Sequence, residues 1–307
     1  MGTTIGIVGM GWVGSSVAIS TLHSGVATEL LLNDIRTDVA EGDVMDLAHG
    51  ASFYPATTVR TATVEEMVNA DAVVIAAGRG GGAGESRLDL LNENAAIIRE
   101  LGARLTGCRG VIVLVTNPVD VLTHVMTEAS RLPPARVLGT GTMLDTARLR
   151  QMLGLELQLD PRSIHAQVVG EHGDSAVVLW SEARVGSTRL SNWPGWRRER
   201  EHSMAEEVRT AAYEIIRRKG ATNHAIGLVT AALLRWMLRG ERRVLTITRV
   251  QEGALGFRGV ALSLPTIVGG GGGVQVLEPE MSTVERERLE RSAAVLSQAM
   301  ASVSAGR

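Results

Sequence analysis

Ten residues near the start of the chain restrict its fold more than any other feature. Residues 5–14 read IGIVGMGWVG, an apolar run of strand length that passes through Gly9-x-Gly11-x-x-Gly14 into a helix-like segment. The first glycine permits a tight turn, the second lets a pyrophosphate approach the backbone, and the third lets helix and strand pack closely. Phosphates then sit against the free N–H groups at the helix N-terminus. Asp34 ends the next predicted strand, 20 residues beyond Gly14, where its carboxylate can accept hydrogen bonds from the adenosine ribose hydroxyls. That negative charge would repel a 2′-phosphate, so NAD is expected rather than NADP.

The remainder of the first half supports a doubly wound sheet. Strands are predicted at 3–8, 29–33, 71–76 and 110–115, with helices at 13–24, 88–105 and 118–131. The last two strands are nearly continuous apolar runs, as expected where both faces of a parallel sheet are covered. Alternation of strand and helix predicts an α/β protein with an N-terminal Rossmann-type, doubly wound parallel sheet. After residue 141 the pattern changes. A helix at 142–153, short strands at 167–169 and 177–180, long helices at 197–218 and 222–239, a strand at 243–250 and a helix at 282–303 predict an α+β domain. The expected division is 1–141 for dinucleotide binding and 142–307 for substrate and catalysis, consistent with 307 residues at about 150 per domain.

Composition excludes several functions. The net charge of −2 lacks the basic surplus that nucleic acid demands. Its positive charge is 30 Arg and a single Lys, Lys219, which reads as base composition of the genome. Cys108 is the only cysteine, so neither an intrachain disulfide nor a cysteine-based zinc site is expected. Residues 1–28 and 259–277 lack Asp, Glu, Lys and Arg, but glycines interrupt both and Pro265 breaks the second. Neither predicts a spanning helix, and with no signal peptide recognisable the expected compartment is the cytoplasm.

Four polar segments supply chemistry. Gly84-Glu85-Ser86-Arg87-Leu88 follows a glycine-rich loop, and Thr116-Asn117-Pro118 ends an apolar strand. Asp145 and Arg148 lie three apart on a predicted helix, hence on one face. Gly170-Glu171-His172-Gly173-Asp174 ends a short strand. Together they offer an acid/base, a carboxylate, two guanidinium groups and an amide, a set suited to a 2-oxo acid.

These segments, with GIVGMGWVG, NDI, GDVMDLAHG (42–50), DTARLR and KGATNHAIG (219–227), occur in an order that resembles the lactate/malate dehydrogenase family, in its L-lactate branch, over essentially the whole chain. The resemblance implies an NAD-dependent dehydrogenase interconverting pyruvate and L-lactate, as in glycolytic fermentation. His172 would be the proton donor to the keto oxygen, and Asp145 would orient its imidazole. Arg148 would clamp the substrate carboxylate with a bidentate fork. Arg87 would polarise the carbonyl, and Asn117 would hydrogen-bond near the carbonyl and the nicotinamide. Thr222 would line the substrate pocket and Ile226 the nicotinamide ring. Val13 and Gly78 would join Gly9, Gly11, Gly14 and Asp34 around the cofactor.

One position departs from the pattern. Six residues before the mobile arginine, lactate enzymes usually carry Gln and malate enzymes Arg; here stands Gly81. It cannot neutralise a second carboxylate, and it leaves room for a bulkier side chain. The alternatives are therefore a malate dehydrogenase, with Arg79 as the candidate cation, or a broad L-2-hydroxy acid dehydrogenase. Relatives regulated by fructose 1,6-bisphosphate use an Arg and a His at a subunit interface, positions matched by Arg150 and His165. The resemblance also implies a homo-oligomer, a tetramer before a dimer. Two other classes fit less well. NAD-dependent glycosidases need a Cys ligand where Thr116 stands, and a non-catalytic sensor would not retain Arg87, Asp145, Arg148 and His172 together.

Overall fold

The computed structural model describes residues 2–80 and 87–305, with side chains for all of these except Arg87, Ser304 and Ala305. Six strands pair in parallel: β1 (Thr4–Val8), β2 (Glu29–Asn33), β3 (Thr58–Thr61), β4 (Ala72–Ile75), β5 (Val111–Leu114) and β6 (Val137–Gly139), in the order β3-β2-β1-β4-β5-β6. Chain order reverses between β1 and β4. In open α/β sheets that is where a crevice opens beyond the carboxyl ends of the strands.

The helices that cover this sheet are α1 (Trp12–Ser24), α2 (Thr37–His49), α3 (Arg87–Arg104), α4 (Val119–Ser130), α7 (His224–Leu238) and α8 (Thr283–Ala305). Strand side chains alternate between faces. Val73, Ile75, Ile112 and Leu114 accordingly pack with Ile98 of α3, Leu122 of α4 and Leu296 of α8. Ala72, Val74, Val111 and Val113 face the other way, against Val17 and Leu22 of α1 and Leu233 and Met237 of α7. Burying each large apolar side chain contributes about 1.5–3 kcal/mol, and these strands are buried along their length.

A third cluster lies between α5 (Met143–Leu157), α6 (Glu199–Lys219) and short strands: β7 (Ile164–His165), β8 (Val168–Val169), β9 (Val177–Val178), β10 (Arg184–Val185) and β11 (Thr188–Arg189). The long strands β12 (Arg243–Glu252) and β13 (Arg258–Gly269), with β14 (Gly272–Val276), form an antiparallel meander. It joins the edge of β6 through Thr248 opposite Gly139, so nine strands form one sheet among the described residues.

The meander shows what residues 259–277 become. The proline in β13 is tolerated for a geometric reason. An antiparallel residue directs its N–H and C=O to the same side, and the Pro265 carbonyl accepts the Leu277 N–H. Its missing donor therefore faces the end of β14 and costs no bond to β12. The helix α2 also goes beyond the sequence reading. Only Ala40 is buried within it, so it carries no apolar stripe by which periodicity could reveal it.

Candidate active site

β1 and β4 both end at the crevice. After Val8 the chain turns at Gly9, with φ +95°, and enters α1. A Cβ on Gly9 would stand 2.4 Å from the Ala77 nitrogen, and one on Gly14 only 1.8 Å from the Gly9 carbonyl oxygen. Gly11 is different: a Cβ there meets nothing within 4 Å, so its backbone is open to an approaching phosphate. Asp34 is fixed at the end of β2, one oxygen accepting the Met10 N–H at 2.7 Å and the other the Arg36 N–H at 2.9 Å. Each oxygen retains a lone pair for a ribose hydroxyl.

A cleft of about 710 Å³ runs from Gly9 and Gly11 past Asp34 to Gly78 and Arg79. Ile35, Ile97 and Leu101 give it apolar walls. Ile35 is 98% exposed, an arrangement that suits a flat aromatic base. These residues fit NAD. Val13 and Ile226 pack against the same core cluster, on α1 and α7. Gly227 presses on the Ser16 carbonyl, and Asn223 donates to the Ser16 hydroxyl at 2.9 Å, which docks the Thr222–Ile226 segment beside the glycine turn.

At the other end of the crevice, Thr116 donates to the Ala77 carbonyl at 2.8 Å. Asn94, 1% exposed, accepts the Arg79 N–H at 2.7 Å and donates to the carbonyls of Arg79 and Asn117. The Asn117–Pro118 peptide is cis, and the Asn117 side chain accepts the Val119 N–H at 3.3 Å. Arg79 forms an ion pair with Glu93; this engagement and its place in the cofactor cleft do not favour it as a substrate-selecting cation. Gly81 lies outside the described residues. The backbone of Arg87 opens α3, but its side chain is outside them.

The acid/base cluster is built from three elements. Asp145, buried in the first turn of α5, has both oxygens occupied. One lies 2.5 Å from His172 Nδ1 and the other accepts an Arg148 N–H at 2.9 Å. A single carboxylate thus positions both the imidazole and the guanidinium, and Nε2 of His172 remains for a substrate. Burial alone would lower the His172 pKa. The Asp145 carboxylate beside it, together with that of Asp120, outweighs burial and holds it above its ordinary value. Burial would raise the Asp145 carboxyl, yet His172 and Arg148 hold it below the usual range.

A second carboxylate fixes the catalytic loop, and the sequence reading did not assign it a role. Asp120, on α4, accepts the backbone N–H of His172 at 2.7 Å and the hydroxyl of Thr248. Burial pushes its pKa up to about 6, against the pull of these two donors. Its signal was an Asp within the apolar run VDVLTHVM. Ser292 of α8 holds the neighbouring residue, accepting the Glu171 N–H at 2.9 Å.

The two residues matched to an anion site are not brought into contact within one chain. Arg150 donates to the carbonyl of Ala166, next to His165, at 3.0 Å, and burial lowers its pKa. It lines an apolar cavity of about 340 Å³ that His165 does not line.

A crevice built for a dinucleotide, beside a buried carboxylate shared by a histidine and an arginine, defines a nucleotide-dependent oxidoreductase. The family model described as lactate/malate dehydrogenase, NAD binding domain matches residues 3–139. The one described as lactate/malate dehydrogenase, alpha/beta C-terminal domain matches residues 142–306. The chain belongs to the lactate/malate dehydrogenase family, and NAD is its cofactor. It is 42% identical over 310 residues to an L-lactate dehydrogenase of Salinibacter ruber, covering 99% of this chain and 98% of that one. An L-lactate dehydrogenase of Synechococcus is 41% identical, with 97% and 98% covered. The ligand-bound crystal structure of the minor L-lactate dehydrogenase of Enterococcus mundtii superposes with a TM-score of 0.95 at 35% identity, covering 98% of both chains.

Proposed function

We propose that the protein reduces pyruvate to L-lactate, and reverses that reaction, with His172 as the acid/base. The observation that carries this reading is the sharing of Asp145 between His172 and Arg148. Bound NADH supplies the hydride, delivered to the carbonyl carbon. The chain's own residues do the rest. Nδ1–H of His172 donates to Asp145, so Nε2 gives its proton to the keto oxygen as negative charge develops there. Arg148 spends one N–H on Asp145 and offers others to the substrate carboxylate. Asn117, at the carboxyl end of β5, orients the carbonyl. Arg87, which opens α3, would polarise it, and the resemblance assigns Thr222 and Gly81 to the substrate pocket. Gly9, Gly11, Val13, Gly14, Asp34, Gly78 and Ile226 hold the cofactor.

Pyruvate is favoured over oxaloacetate because the uncharged Gly81 stands where the resemblance places the Arg of malate enzymes. Gly81 has no charge and Arg79 is paired with Glu93. The family resemblance supports a cytoplasmic homo-oligomer, a tetramer before a dimer. Exposed Leu228 and Val244, which line the apolar cavity beside Arg150, are consistent with a subunit contact. At such a contact Arg150 and His165 would face an anion such as fructose 1,6-bisphosphate. No helix among the described residues is long and apolar enough to cross a membrane.

The test is kcat/KM for pyruvate, oxaloacetate and larger 2-oxo acids, read by NADH oxidation. Pyruvate preferred by about tenfold, roughly 1.4 kcal/mol of transition-state discrimination, is the expected result. Oxaloacetate preferred by that margin makes the enzyme a malate dehydrogenase. Equal use of larger acids makes it a broad 2-hydroxy acid dehydrogenase.

A further inference from the structure

A cleft of about 480 Å³ lies between α6, α8 and the Asp174–Val177 segment, apart from the residues that handle substrate and cofactor. Four arginines line it: Arg198, Arg209, Arg288 and Arg291. Spacing puts them there. Arg198 and Arg209 flank Glu201, His202 and Ala205 along one face of α6, and Arg288 and Arg291 stand three apart on α8. The lining carboxylates are Asp174 and Glu201, so arginines exceed acids by 4 − 2 = 2 in a chain whose net charge is −2.

Among the described residues neither acid is ion-paired with an arginine of the cleft, and each is held by a neutral donor. Asp174 accepts the Tyr213 hydroxyl at 3.0 Å, and Glu201 accepts the Trp196 indole N–H at 3.3 Å. Elsewhere on the surface, some arginines, such as Arg60, Arg104, Arg162 and Arg217, are paired with carboxylates, and others, such as Arg36, Arg189 and Arg242, stand singly without such a partner among the described residues. Among the described residues, Arg209 alone of the four in this cleft is paired, with Glu206. The guanidinium groups of Arg198, Arg288 and Arg291 have no hydrogen-bond or ion-pair partner among the described residues. Three unpaired guanidinium groups facing one concavity repel one another, and an anion relieves that repulsion. Their planar donor forks match phosphoryl oxygens in bidentate fashion.

We propose that this cleft binds a small phosphorylated anion carrying more than one phosphoryl group. Its volume exceeds what a single phosphate fills, and its arginines come from two helices. Trp180, which lines the cleft and packs on Trp196 with ring centroids 6.1 Å apart, gives the rest of such a molecule an apolar wall. The site adjoins the catalytic loop. Ser292, next to Arg291, accepts the backbone N–H of Glu171, and Asp174 follows His172 by two residues.

Calorimetric titration of the whole protein with pyrophosphate and with inorganic phosphate, at fixed ionic strength, tests this. Saturable binding of pyrophosphate is expected, at least about tenfold tighter than phosphate. The double variant Arg288→Ala, Arg291→Ala should weaken it by about tenfold or more, with basal pyruvate reduction unchanged because both side chains are exposed and neither belongs to the cluster of His172, Asp145 and Arg148. Arg150→Gln should leave it unaltered, which separates this cleft from the cavity beside α5. No saturable pyrophosphate binding, or binding equally strong in the double variant, overturns the proposal.

Discussion

The cofactor crevice and the acid/base cluster sit in one molecule but are made by different means. The crevice is chiefly backbone: the turn at Gly9, the open approach at Gly11, and the close contact of Gly14 with the Gly9 carbonyl. Asp34, the carboxylate placed for the ribose, is itself fixed by main-chain N–H groups of Met10 and Arg36. The cluster is chiefly side chain, drawn from α4, α5 and the loop after β8, and held by buried carboxylates. A backbone site loses affinity gradually when one side chain changes. A cluster centred on Asp145 fails as a unit, because one carboxylate holds both the imidazole and the guanidinium.

Single substitutions should separate the two regions. The largest effect is expected at His172. His172→Gln retains bulk but cannot donate a proton of suitable acidity, and kcat should fall by about 10³-fold in stopped-flow NADH oxidation, with NADH affinity unchanged. Arg148→Lys keeps the charge but loses the fork. Pyruvate KM should rise about thirtyfold, close to 2 kcal/mol, with kcat less affected. In the crevice, Asp34→Ser should raise the NADH KM about tenfold, improve use of NADPH, and leave the pyruvate response intact. The smallest effect is expected at Asp120, which touches His172 only through the backbone N–H. Asp120→Asn should reduce kcat/KM about threefold. It should also flatten the pH dependence of thermal stability, for a reason of sign. The Asp120 carboxyl is raised to about 6 in the folded state, so folded protein holds an extra proton between pH 4 and 6 and loses stability as pH rises through that window. The variant removes that component.

The same contrast explains what could be read in the sequence. The glycine turn, β2 and Asp34 are consecutive within 30 residues, and each has a local physical signature. The alternation of β4, α3 and β5 was legible because those strands are apolar without interruption. His172, Asp145 and Arg148 were nominated as unusual polar residues on ordered elements, and the resemblance then assigned their roles. Their mutual contact spans 27 residues of sequence between Asp145 and His172, and no periodicity encodes it. Asp120 and Thr248 went unassigned because they lie 128 residues apart and act through a main-chain group. β14 escaped because glycine-rich sequence resembles a loop until a neighbouring strand supplies its ladder.

The proposed mechanism depends most heavily on Asp145 serving His172 and Arg148 at once. Its direct test is the pH profile of kcat/KM for pyruvate reduction in the wild-type protein and in Asp145→Asn. Reduction needs protonated His172, whose pKa Asp145 helps to hold above its ordinary value. The wild-type rate should therefore persist through pH 6.5 and decline only as pH passes that raised pKa. In the variant the decline should begin at lower pH, the maximum should fall by about 10²-fold, and pyruvate KM should rise because Arg148 loses its anchor. A variant whose decline stays at the wild-type pH, with pyruvate KM unchanged, would contradict the account.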